Sequence, residues 1–188
     1  MGGHNEQGTS NEQGSDKEMT GGDVQWLDEQ QQRDWRATIL GMTMLAAQLS
    51  RDLEATTGLS MPEYELLVRL SESADRTARM SDLADQVVHS RSRVTHTVTR
   101  LEKAGLVERR KADADGRGIV AALTDAGFVA LEAAAPHHVR SVRSRIVDVL
   151  DAEELHGLGE AMRKILRADG IDEAALHPGL YARQNLRD

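Results

Sequence analysis

Cysteine is absent from this 188-residue chain. That removes disulfides, thiolate metal sites, cysteine nucleophiles and thiol-based redox sensing together, and it suits a reducing cytoplasm. Aromatic residues are scarce as well, 3 % against 39 % apolar overall, so the core has to come from Leu, Val, Ile, Met and Ala. Such a composition favours helix over sheet. No apolar run approaches the roughly 20 residues that cross a bilayer, and the N-terminus lacks the apolar centre of a secretion signal. The expectation is a cytoplasmic protein without a membrane partner. A glycine-rich phosphate loop, G-x-S-x-G and H-E-x-x-H are all missing, so neither an enzyme nor a cofactor is expected. His137 and His138 are adjacent and diverge by about 100° on a helix, while His156 and His177 are distant in sequence, so no metal site is expected.

What the chain does have is charge, unevenly spread. The formal net charge is −8, yet Arg76 to Arg117 carries ten Arg or Lys against six Asp or Glu, leaving +4 there and −12 elsewhere. A basic lobe on an acidic body engages phosphate while the body discourages indiscriminate sticking.

Residues 1–22 hold six glycines and a doubled "NEQG", with no aromatic residue. They cannot offset the entropy of ordering and read as a disordered tail. From 23 to 57 the pattern is helical. Trp35, Ile39, Met42, Ala46, Leu49 and Leu53 step by 4, 3, 4, 3, 4, a heptad stripe that calls for a partner helix. Gly58 ends it, and "SMPE" opens a second helix with Ser60 as cap, Pro62 in the first turn and Glu63 closing a capping box. A third helix starts near Ser81.

A fourth follows in "HSRSRVTHTVTRLEKAG", residues 89–105. Ser90 caps it, Val94, Val98 and Leu101 form its buried stripe, and Gly105 with Leu106 suits a Schellman ending. At 100° per residue Ser92, His96, Thr99 and Arg100 then point outward, with Arg93 and Thr95 on the flanks and Arg91 in the first turn. Arginine offers paired donors to guanine, while Ser, Thr and His meet base edges and phosphates. "LVERRKADADGRGIVAALT" reads as strand, turn, strand, with Arg109, Arg110, Lys111 and Arg117 around the turn. Arg117 near the tip suits a narrow minor groove, with Asp115 bracing it. Thr124 caps a long helix running to about Leu150, with a kink predicted at Pro136, and a last helix covers roughly 152–167.

The order of elements describes a mainly α fold: a winged helix-turn-helix with a two-stranded β wing, flanked by long N- and C-terminal dimerisation helices. Its winged lobe is 60–124, its dimerisation helices 23–57 and 125–168, all in one domain over 23–168 with a C-terminal extension at 169–188. The DNA-contacting set is Ser90, Arg91, Ser92, Arg93, Thr95, His96, Thr99, Arg100, Lys111 and Arg117. The competing class is a helical protein–protein adaptor that keeps the fold without operator binding. Loss of the exposed arginines beside an intact apolar stripe would mark it, and here both are present.

"MSDLADQVVHSRSRVTHTVTRLEKAGLVERR" resembles the helix-turn-helix of MarR-family bacterial transcription regulators. "DGRGIVAALTDAG" is similar to that family's wing signature through Asp115, Arg117, Ala121, Leu123 and Thr124, Ala121 standing where valine is commoner. The "SRSR…TH" opening resembles an actinobacterial branch. The resemblance covers about 24–168. It implies a homodimer joined through terminal helices, reading a pseudo-palindrome in double-stranded DNA. It also implies release by a small effector, often phenolic or otherwise aromatic. Trp35, Ile39, Tyr64, Leu67 and His89 are the candidates to line an effector cavity where the first two helices approach the winged lobe.

Overall fold

The computed structural model describes residues 24–86, 91–111 and 118–171. Helix α1 (Glu29–Thr57) and α2 (Met61–Glu72) come first, then a short 3-10 turn at Ala74–Arg76. Strand β1 (Thr77–Arg79), α3 (Met80–Gln86), α4 (Arg91–Lys103), β2 (Val107–Lys111) and β3 (Ile119–Leu123) follow. The chain finishes with α5 (Asp125–Val142), a π-helical segment (Arg143–Val147) and α6 (Ala152–Ala168). The molecule divides into two units, Met1–Leu40 and Gly41–Asp188.

In the first unit α1 opens on a reciprocal cap. The Gln31 amide donates to Asp28 Oδ1 at 2.8 Å, and the Asp28 amide donates to Gln31 Oε1 at 3.0 Å, satisfying two donors a helix start leaves open. Trp26, Trp35, Ile39 and Leu40 are all exposed.

The second unit holds the core. Leu53 from α1, Tyr64, Leu67 and Leu70 from α2, Leu83 from α3, and Val94, Val98 and Leu101 from α4 pack with Val107, Ala121, Leu123 and Leu131. Aliphatic side chains dominate, as the composition requires. The Ser60 amide donates to Glu63 Oε2 at 2.8 Å and its hydroxyl donates at 2.6 Å, so the capping carboxylate sets the entry of α2.

The expected two-stranded wing is part of a three-stranded antiparallel sheet in the order β1-β3-β2. Thr77 pairs with Ala122 and Arg79 with Val120, while Val107 pairs with Leu123 and Lys111 with Ile119. Pro136, where a kink is expected, lies inside α5. Helix α5 keeps its pattern through Pro136 to Val142, and the ladder widens only at Arg143–Val147, where the Asp148 amide reaches Arg143 O at 2.8 Å. A proline deletes one bond, here to Glu132. Glu132 is exposed, where water can take the freed carbonyl.

Candidate nucleic-acid interface

Helix α4 divides cleanly into two faces. Val94, Val98 and Leu101 are buried with Thr97 beside them, whereas Ser92, Arg93, Thr95, His96 and Arg100 are exposed and Thr99 is half-buried. Arg91 begins the helix, and Ser90 lies outside the described residues, as do His89, Asp115 and Arg117. Lys111 is exposed at the end of β2.

The C-terminal end of α4 is fixed by glycine chemistry. Gly105 has φ +73°, its amide donates to Glu102 O at 3.0 Å, and the Leu106 amide donates to Leu101 O at 2.9 Å. This is the Schellman ending. Thr124 then stitches the helix end to α5: its hydroxyl donates to Gly105 O at 2.8 Å and accepts the Gly127 amide at 3.0 Å.

Two ionic contacts grip the flanks of α4. Arg100 Nε lies 3.1 Å from Glu63 Oε1, a carboxylate that is itself buried and already holds the Ser60 cap. On the other flank, Arg109 of β2 donates through Nη2 to Thr99 Oγ1 at 2.8 Å and to Thr95 O at 3.3 Å, and pairs through Nη1 with Glu102. The Thr99 hydroxyl also donates to Thr95 O at 2.8 Å. Its proton and one lone pair are therefore used within the protein.

The arrangement offers donors and cations along one helix face beside a basic strand. The profile of the MarR family matches residues 59–119, from just after α1 to the start of β3. AbsC, a MarR-family transcriptional regulator from Streptomyces coelicolor, is 41 % identical with a TM-score of 0.73; the match covers 77 % of this chain and 97 % of that one. A second MarR regulator from that organism, solved in complex with DNA, is 40 % identical with a TM-score of 0.74, covering 78 % and 92 %. The chain belongs to the MarR family. An uncharacterised HTH-type regulator of Bacillus cereus is 28 % identical over 127 residues, 68 % of this chain and 83 % of the relative.

Within this MarR fold four of the five effector-cavity candidates are among the described residues. Tyr64 is 3 % exposed, its ring tilted by 51° against that of His138 with centroids 4.9 Å apart, and Leu67 is 0 % exposed in the core. Burial pushes the His138 imidazole below the usual histidine pKa. Trp35 and Ile39 are exposed in the other unit. A cavity of about 340 Å³ in the second unit is lined by Thr56, Thr57, Leu59, Leu106, Ala130, Ala133, Ala134 and His137. Among the described residues no group of three or more His, Cys, Asp or Glu is placed to hold a metal, and no helix is long and apolar enough to cross a membrane.

Sequence reasoning missed three parts of this MarR interface: the Glu63–Arg100 pair, the Arg109 clamp and strand β1. Arg109 had a visible signal. It sits two residues after the buried Val107, so strand alternation turns it to the same face.

Proposed function

We propose that this MarR regulator binds a pseudo-palindromic operator as a homodimer, acting as a repressor that a small aromatic effector releases. The division of α4 into a buried Val94–Val98–Leu101 stripe and an outward Ser92, Arg93, Thr95, His96 and Arg100 face carries the reading. Ser90 and Arg91 would lead the helix into the major groove, and Lys111 and Arg117, braced by Asp115, would bring the wing to the backbone or minor groove. The DNA complex of the 40 % identical relative supports the same use of this fold. Exposed apolar surface supports dimerisation. Helix α6 is amphipathic, yet none of its residues is buried, and the exposed Trp35 and Ile39 continue a heptad stripe in the other unit. An effector acting through Tyr64 and Leu67 would have to open the core, because both are buried there.

Operator selection followed by footprinting and gel shifts tests the proposal. Two protected half-sites about one helical turn, roughly 34 Å, apart are expected. Affinity should fall steeply between about 50 and 200 mM salt as neutralised phosphates release counterions. Arg93→Ala should cost about 1–3 kcal/mol at defined base pairs rather than uniformly. Absence of any protected duplex would leave the adaptor reading standing.

A further inference from the structure

Base reading needs the recognition helix fixed in rotation about its own axis, because side chains have to arrive within about 0.5 Å and 10–20° of productive geometry. The apolar stripe of α4 sets which face is buried, through a driving force that is itself non-directional. Directional contacts lie on its flanks. Thr95, Thr99 and Glu102 stand at i, i+4 and i+7, one ridge of the helix roughly 10 Å long. The Arg109 guanidinium spans that ridge, with Nη2 on Thr99 Oγ1 and Thr95 O and Nη1 on Glu102. It is planar and offers paired donors in a rigid fork, so it resists both sliding and rolling in a way a single ammonium does not. On the other flank Arg100 is held by the buried Glu63.

We propose that Arg109 is a positioning residue for operator recognition: it locks the roll of α4 against strand β2, and Thr99 serves this clamp rather than DNA. The proposal rests on the operator-binding function above. Because Glu102 neutralises Arg109, the clamp adds orientation without adding a phosphate contact.

The test compares wild type, Arg109→Ala, Arg109→Lys, Thr99→Val and the Ala/Val double variant, each checked by circular dichroism. Binding is measured to the selected operator, to single-mismatch operators and to an unrelated duplex, across a salt series. Arg109→Ala is expected to lose about tenfold on the operator, the scale of a charge-assisted hydrogen-bond set. Discrimination against mismatches should shrink while affinity for unrelated DNA and the salt slope stay unchanged. Thr99→Val should move the same way by less, the double variant should be no worse than Arg109→Ala, and Arg109→Lys should rescue only in part. A salt slope shallower by about one phosphate, with equal loss on unrelated DNA, would make Arg109 a phosphate contact and overturn the proposal. Full rescue by lysine, or additive single variants, would do the same. Should Arg109→Ala not fold, the lysine and Thr99→Val variants still decide the matter. Failure of the wild type to bind any duplex would instead sink the operator reading itself.

Discussion

At the scale of single residues, Gly127 carries more of the interface than its size suggests. A Cβ built on it would stand 2.0 Å from Leu106 O and 2.7 Å from Leu123 Cδ1. The carbonyl belongs to the backbone that ends α4, so it cannot swing aside as a flexible side chain would. Gly127 is also the residue whose amide the Thr124 hydroxyl accepts. Gly127→Ala should therefore destabilise the protein by at least about 1–3 kcal/mol, the usual cost of overpacking. Thr124→Ala should cost about 0.5–2 kcal/mol as a lost cap. Urea unfolding monitored by circular dichroism measures both, and a neutral Gly127→Ala would mean that α5 and the end of α4 are looser than they stand here.

At the scale of elements, the widened turn at Arg143–Val147 is held from α1. Asp52 Oδ2 accepts Arg145 Nε at 2.6 Å, Oδ1 accepts Nη2 at 2.9 Å, and Ser141 donates its hydroxyl to the same carboxylate. The Arg145 and then the Ser141 hydrogen bonds lower the Asp52 pKa from 3.8 to about 2. A carboxyl depressed on folding contributes stability above its unfolded pKa and loses it as pH falls through the folded one. Asp52→Asn should thus melt lower than wild type at neutral pH, with the gap closing between pH 3.8 and about 2; a gap constant across that window would remove the ion pair from the account. None of this was legible in the sequence, because Asp52, Ser141 and Arg145 are far apart along the chain and only folding joins them. Local signals were legible where the chemistry is local. Helix α4 ends before Gly105, as its Schellman signature predicts. Strand β1 was not, since the three residues Thr77–Arg79 carry too little periodicity to be read without β3 alongside. The outward set on α4 was legible from its period of 3.6, but Thr99 also sits on the Arg109 ridge, a tertiary fact that periodicity cannot see.

At the scale of the whole molecule, charge and apolar surface divide the work. The basic stretch from Arg76 to Arg117 sits in a chain of net charge −8, so attraction to DNA is confined to one lobe while the remainder repels it. In the proposed operator complex one such lobe would read one half-site, and useful specificity would then depend on joining two. Helix α6 has the surface for this: it is amphipathic, with Leu158 and Ile165 exposed, Ile165 at 54 %. Ile165→Glu places a charge on that apolar face. Within one copy the residue is solvent-accessible, so the substitution should leave the fold of each chain intact. Across a dimer contact it would bury a charge without a partner, at a cost of several kcal/mol. Sedimentation should show the wild type as a dimer and the variant as a monomer. Operator affinity should fall steeply in the variant while binding to an isolated half-site stays near the wild-type value. A variant that remains dimeric would move the interface off this face of α6, and a monomeric wild type would leave two-fold operator reading without a physical basis.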